Sequence, residues 1–198
     1  RSWHRAALSM GSNLGDSRAH LDAAVRALQS DSMCRSCRMS DYLVTRPVGY
    51  TEQPDFLNGA MVLDTLYTPH ELLDNLQRIE QSRHRERVIH WGPRTLDLDL
   101  IFYDDQIISD ARLQVPHPEA ANRFFVLKPL SELAPYWMHP VLHRTVAQLL
   151  ADNPGPVEQY RNGEQKVFGF LMGQANRALK GSATPKAIKE LLEKKLKG

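Results

Sequence analysis

The run Thr95-Leu96-Asp97-Leu98-Asp99-Leu100-Ile101-Phe102-Tyr103 limits the folds open to this chain more than any other stretch. Leucine and aspartate alternate with period two, which is the pattern of a strand with one face in a core and the other turned away from it. Leu96, Leu98 and Leu100 therefore enter the core, while Asp97 and Asp99 project from the opposite face about 7 Å apart. Asp104-Asp105 then close the strand as a turn. Two carboxylates on a rigid strand suit hard divalent ions such as Mg²⁺. They could share one ion, hold two ions bridged by a substrate's phosphates, or simply form the solvated face of an edge strand.

The segments around this strand alternate in type. Ala6 to Met10 reads as a strand, Gly11 to Ser17 as a turn, and Leu21, Ala24, Val25 and Leu28 as one face of a helix. The Gly-Ser-Asn-Leu-Gly turn lacks the Gly-Lys-Ser/Thr of a phosphate-binding loop and is read as a backbone turn. Strands are predicted over Cys37 to Val44 and Phe56 to Leu63, with a loop containing Pro47, Gly49 and Pro54 between them. Thr68-Pro69-His70-Glu71 is a capping box with proline at the first helical position, and it starts a helix over Pro69 to Ser82. A basic loop follows, Val115-Pro116-His117-Pro118 must be extended, and helical pieces are predicted near Glu119 to Phe125, Pro129 to Leu133 and Thr145 to Leu150.

Charge divides the 198 residues unevenly. The whole chain carries a formal +2, yet Glu158 to Gly198 holds nine Lys or Arg against four Asp or Glu, a balance of +5. The preceding residues hold 16 basic and 19 acidic side chains, a balance of −3. Asn153-Pro154-Gly155-Pro156 marks a linker between these parts, and Lys166 to Leu179 and Pro185 to Leu196 read as two helices joined around Gly181. The resulting division is a body over 1–152, a linker over 153–165 and a basic helical hairpin over 166–198. About forty residues without disulfide or metal rarely support their own core, so the hairpin should pack on the body, a second copy or a partner.

No run approaches the ~18 apolar residues of a membrane helix, and a cytoplasmic protein without membrane contact is expected. Arg1 is not an initiator Met, which leaves residues before it open, as the sequence leaves oligomeric state open. Cys34 and Cys37 form a lone Cys-x-x-Cys without a second ligand pair, so reduced thiols are expected rather than zinc.

The acids keep cationic company. Arg85, Arg87 and Arg94 lie just upstream of Asp97 and Asp99, and Arg112, His117 and Arg123 lie downstream. Guanidinium groups bind phosphate oxygens bidentately and metal ions neutralise the remaining charge, which is what phosphoryl-type transfer requires. Gln77 and Glu80, three apart on the capped helix, could recognise a nucleoside. Phe56 and Trp91 offer aromatic faces and Asn58 an amide, a set suited to a flat heteroaromatic ring and also compatible with core packing.

The blocks Gly11-Ser12-Asn13-Leu14-Gly15-Asp16, Gln53 to Asn58, Trp91-Gly92-Pro93-Arg94-Thr95-Leu96-Asp97-Leu98-Asp99 and Pro116-His117-Pro118 occur in the order found in the 6-hydroxymethyl-7,8-dihydropterin pyrophosphokinases. From about Ala6 to Leu150 the chain resembles that family. The resemblance implies a ferredoxin-like α+β fold with a mainly antiparallel sheet. It also implies transfer of the β,γ-diphosphate of ATP to the pterin hydroxymethyl oxygen in folate biosynthesis, with release of AMP. Asp97 and Asp99 would hold two Mg²⁺ ions. Gln77, Glu80, Arg85, Arg87, Arg94, Arg112, His117 and Arg123 would meet ATP, with Arg85 and Arg94 joining the aspartates in catalysis. Thr45, Val48, Phe56, Asn58, Trp91 and Phe125 would line the pterin pocket.

Lys166 to Gln174, Lys180 to Pro185 and Glu190-Leu191-Leu192 resemble the C-terminal end of the B subunit of the tRNA-dependent Asp/Glu amidotransferase, where this region contacts tRNA. For this chain a structural or partner-docking appendage is the preferred reading. The alternative is an RNA-associating protein whose tail contacts tRNA.

Overall fold

The computed structural model describes residues 1–46, 52–84 and 95–153. In chain order they form β1 (His4–Ser12), α1 (Ser17–Gln29), β2 (Cys34–Met39), β3 (Leu43–Thr45), β4 (Phe56–Thr65), α2 (Pro69–Arg83) and β5 (Asp97–Tyr103). A small hairpin follows, β6 (Ile108–Ser109) and β7 (Gln114–Val115), then a 3-10 turn at Ala120–Asn122, α3 (Phe124–Leu133) and α4 (Val146–Asp152). Local chemistry starts the helices. Asp16 accepts the Ala19 N–H at 3.1 Å, and the Thr68 hydroxyl and Glu71 carboxylate exchange backbone N–H groups in the anticipated capping box.

The strands run β2-β4-β1-β5 across an antiparallel sheet, with β3 also paired to β4. One face packs Leu8 and Met10 of β1 and Leu98 and Leu100 of β5 against Leu21 and Leu28 of α1 and Leu72 and Leu76 of α2. The other packs Ala7, Val62 and Phe102 against Val126 and Leu130 of α3 and Val146 of α4. The protein is thus an α+β sheet with helices on both faces, and no helix among the described residues is long and apolar enough to cross a membrane.

Leu96, Leu98 and Leu100 are buried, as the alternation requires, but the alternation then breaks. Leu100 pairs with Leu8 and Phe102 with Ala7, so Ile101 is an extra residue in β5. This bulge sends Phe102 into the α3 core and returns Tyr103 to the α1/α2 core. Two further differences from the sequence reading are local. The strand anticipated over Cys37 to Val44 is split: β2 begins earlier, at Cys34, bulges at Ser36, where φ is 53°, and ends at Met39, after which the Ser40 N–H donates to Ala60 O and ladder pairing with β4 resumes at Leu43. The piece anticipated near Glu119 to Phe125 is mostly the 3-10 turn, whereas the one anticipated over Pro129 to Leu133 begins earlier, at Phe124, so that Pro129 sits inside α3; burial of Val126, Leu127 and Leu130 holds the helix through it.

Asn153, anticipated as the first linker residue, is buried and fixed. Its amide donates to Ala121 O and Leu149 O, both at 2.9 Å, and ties the end of α4 to the 3-10 turn. The rest of the linker and the helical hairpin lie outside the described residues.

Candidate active site

β1 is flanked by β4 and β5, and the registers set three residues in one row across the sheet. Asn58 stands opposite Gly11, and Gly11 opposite Asp97; in the next row on the same face Ala60, Ser9 and Asp99 are aligned. With strands 4.7–4.9 Å apart, the Asn58 and Asp97 backbones are about 10 Å apart. Gly11 contributes no side chain between them. A Cβ there would lie 3.2 Å from Asn58 Oδ1 and 3.9 Å from Phe56 Cδ1, so the glycine keeps the strip between amide and carboxylate clear. The apolar cluster under α3 occupies the same face further along, at Ala7, Ala60, Val62 and Ile101.

On the amide side, Asn58 Nδ2 donates to the Thr45 hydroxyl at 2.6 Å, and Thr45 pairs with Phe56 across β3 and β4. With Nδ2 held by Thr45, the Oδ1 end of the amide is directed at Gly11. Phe125 is half-buried at the start of α3, packed on the second core, and the Arg123 guanidinium sits 5.6 Å from its ring centroid.

On the carboxylate side, Asp97 and Asp99 are half-buried on the same face of β5. His117 is fixed by its own backbone, whose N–H donates to the bulged Ile101 carbonyl at 2.9 Å. Its Nδ1 accepts the Glu119 N–H at 3.1 Å, which leaves Nε2 to carry the proton. Burial pushes the imidazole below its usual range; the Asp99 carboxylate opposes that and the Arg123 guanidinium reinforces it. The site therefore disfavours the charged imidazole, against the pull of the Asp99 carboxylate.

The outer edge of β5 is laced to the end of α2. Glu80 Oε2 accepts the Leu98 N–H at 2.8 Å, between the two aspartates, and His84 Nε2 donates to Leu96 O at 3.1 Å. Side chains thus satisfy backbone groups that an edge strand would otherwise leave unpaired. Gln77 is exposed one turn before Glu80. Arg112, in the β6–β7 turn, pairs with Asp74 at 2.5 Å, which brings it to the α2 surface where Asp74 and Gln77 lie three apart.

Two residues in the Gly-rich turn carry more than the sequence suggested. Ser12 and Asn13 are buried to within 1% of full burial; the Ser12 hydroxyl donates to Thr95 O at 2.5 Å, and Asn13 Nδ2 donates to Gln53 Oε1 at 2.8 Å and Pro54 O at 2.9 Å. They tie the end of β1 to the segments entering β4 and β5, the strands that bear Asn58 and the aspartates. The only signal in the sequence was a pair of polar side chains at the end of an apolar strand. Of the anticipated site residues, Asn58, Asp97 and Asp99 share one face of the sheet, Thr45 and Phe56 adjoin Asn58, Glu80 and His117 are bonded to the backbone of β5, Arg123 and Phe125 sit at the start of α3, and Gln77 and Arg112 lie at the surface of α2; Val48, Arg85, Arg87, Trp91 and Arg94 lie outside the described residues.

Two family models match successive parts of the chain. Residues 138–196 match a GatB domain model. The bifunctional protein FolKE of Lactococcus lactis subsp. cremoris is 48% identical over 126 residues, covering 64% of this chain and 36% of that protein. The 2-amino-4-hydroxy-6-hydroxymethyldihydropteridine pyrophosphokinase of Synechocystis is 42% identical over 147 residues, covering 74% of this chain and 75% of that protein. A crystal structure of Plasmodium falciparum HPPK-DHPS with pterin and p-hydroxybenzoate aligns with a TM-score of 0.61 at 16% identity, covering 91% of this chain and 44% of that one, which speaks for the fold. The chain thus spans about a third of the bifunctional relative and three quarters of the monofunctional one. Residues 7–135 match the family model for 7,8-dihydro-6-hydroxymethylpterin-pyrophosphokinase, and the chain belongs to that family.

Proposed function

We propose that this protein transfers the β,γ-diphosphate of ATP to the hydroxymethyl oxygen of 6-hydroxymethyl-7,8-dihydropterin in the cytoplasm, as a step of folate biosynthesis. A bond forms between that oxygen and the β-phosphorus, the bond from the β-phosphorus to the α,β-bridging oxygen breaks, and AMP leaves with the bridging oxygen. The hydroxyl proton is released to solvent. The observation that carries this reading is the row Asn58, Gly11, Asp97, which sets an amide for a heterocycle edge and a carboxylate for phosphate-bound metal on one face of one sheet. Apart from the short β3, the order from β1 to β5 is βαββαβ, and with strands running β2-β4-β1-β5 we read it as a ferredoxin-like arrangement.

Asp97 and Asp99 fit Mg²⁺ by donor chemistry: two half-buried carboxylates on one strand face, hard oxygen ligands with room for water and phosphate oxygens. Two such ions would supply charge neutralisation at the phosphates and a lowered pKa for the attacking alcohol. The chain's own groups do the rest. Asn58 and Thr45 fix the pterin edge, and Phe56 and Phe125, with Val48 and Trp91, supply apolar and stacking surface. His117, held as a neutral Nε2–H donor, and the guanidinium groups of Arg112 and Arg123 meet phosphate oxygens. Arg85, Arg87 and Arg94 add charge to the same end, and Gln77 and Glu80 orient the nucleoside. Incubation of the protein with ATP, Mg²⁺ and the reduced pterin should release AMP in step with pterin diphosphate; ADP, or no nucleotide product, would overturn the assignment.

The GatB match favours a second role, an RNA contact made by the basic tail. A tRNA titration of the protein and of a variant with the tail lysines neutralised tests it, equal affinities at low salt removing the tail from RNA binding.

A further inference from the structure

Between α3 and α4 the chain makes a turn that displays apolar side chains outward. Tyr136 is 86% exposed, Met138 47%, Val141 52% and Leu142 48%. The backbone beneath them is fixed: Val146 N–H donates to Trp137 O, Ala147 N–H to Pro135 O and His139 N–H to Arg144 O, all at 2.8–2.9 Å. Trp137 and His139 turn inward and pack on Phe102, with ring centroids 5.5 and 5.7 Å away. The turn is therefore an ordered platform whose inner residues anchor it and whose outer residues expose four large apolar side chains within seven positions.

The chain itself supplies what could cover it. The GatB match runs from residue 138 to 196, so Met138, Val141 and Leu142 lie in the same match as the tail. The first part of that stretch already packs on the body through Val146 of α4, so the tail starts from an element fixed beside this surface. The tail contributes Phe168, Phe170, Leu171, Leu191 and Leu192 but is too short to bury them among themselves. Reach is no obstacle, since α4 spans about 10 Å and the twelve residues from Pro154 to Gln165 extend up to ~40 Å. We propose that the Tyr136, Met138, Val141 and Leu142 surface is the docking site of this chain's own residues 166–196. The tail is thereby held on the side of the body formed by α3 and α4.

The test uses the full chain. With Leu142 replaced by photoreactive benzoylphenylalanine, illumination should give cross-links to peptides within 166–196 in a product of monomer mass. In a Val141→Asp, Leu142→Asp variant, amide hydrogen exchange in 166–196 should accelerate at least about tenfold while exchange in β1, β4 and β5 stays unchanged. Pyrophosphoryl transfer should be unaffected, because neither residue touches the site, so this outcome is separable from any failure of the functional reading. Cross-links found only in a dimer-mass product would assign the surface to a second copy instead. Unchanged exchange in 166–196, with the sheet intact, would overturn the proposal, and faster exchange throughout the sheet would do so too, by making the two residues part of the body's core.

Discussion

Asn58 and Asp97 face the same side of the sheet in one cross-strand row, with only Gly11 between them. The proposed acceptor alcohol must bridge that interval, from a ring held at the amide to phosphates held at the carboxylate. Gly11→Ala places a methyl group 3.2 Å from Asn58 Oδ1, tight enough to displace the amide. The KM for the pterin should rise about tenfold, equivalent to ~1.4 kcal/mol, with the KM for ATP little changed. Steady-state kinetics with each substrate varied in turn decides this; an equal rise in both would show that the methyl group disturbs the sheet and not the interval.

Asp97→Asn and Asp99→Asn keep shape and hydrogen-bonding capacity while removing charge from a half-buried face. Loss of metal-stabilised charge at the phosphates should lower kcat at least ~100-fold in each, with unfolding free energies within ~1 kcal/mol of the parent. Raising Mg²⁺ should recover part of the rate if the remaining carboxylate still binds. A variant with normal rate and normal Mg²⁺ dependence would take that residue out of the metal site.

The order of helices and strands was legible where local chemistry decides it. The capping box at Thr68 and the leucines of β5 settle their elements from within a few residues. What could not be read depends on partners remote in sequence. The Ile101 bulge exists because β5 pairs with β1 in two registers, and nothing in Leu100-Ile101-Phe102 announces it. Ser12 and Asn13 look like solvent-facing turn residues until Thr95 and Gln53 bury them. Glu80 was legible as a site residue but not as the acceptor of the Leu98 N–H, since helix spacing says nothing about the strand edge alongside.

That bond separates two contributions of Glu80. Glu80→Gln retains an acceptor for the Leu98 N–H and should leave stability within about 1 kcal/mol of the parent, whereas Glu80→Ala leaves a strand-edge donor unpaired at a cost of about 1–3 kcal/mol. If the carboxylate serves only to hold β5, the Gln variant should keep its KM for ATP. If it also meets the nucleoside, that KM should rise in both. Urea unfolding and ATP kinetics on the pair give the two answers independently.

His139 gives stability a pH dependence of known sign. It is 6% exposed, and its Nδ1 accepts the Val141 and Leu142 N–H groups at 3.2 and 3.0 Å, so protonation there must break both bonds. Burial, and the neighbouring His143, hold its pKa below the ordinary 6.5. As pH falls below that value, the unfolded chain takes up a proton that the folded chain refuses. Stability should therefore decline by up to ~1.4 kcal/mol per pH unit until the lowered folded pKa is reached, then level off for this group. His139→Asn should remove that part of the slope between pH 7.5 and 5.5. An identical slope in both proteins would show that His139 titrates normally.

Asp74 and Arg112 pair at 2.5 Å with both side chains about half exposed, so the pair contributes little to stability, under about 1 kcal/mol. Its consequence is for binding. An arginine that meets ATP phosphates must exchange its carboxylate partner for them, and Asp74 both competes for the guanidinium and repels the incoming anion. Asp74→Asn should therefore lower the KM for ATP about two- to threefold, an effect of ~0.5 kcal/mol. The gain should shrink as salt is raised, because both charges are reached by solvent ions. Arg112→Ala should raise the same KM and erase the benefit of Asp74→Asn in the double variant. A benefit that survives without Arg112 would mean that Asp74 acts on ATP directly, through its charge alone.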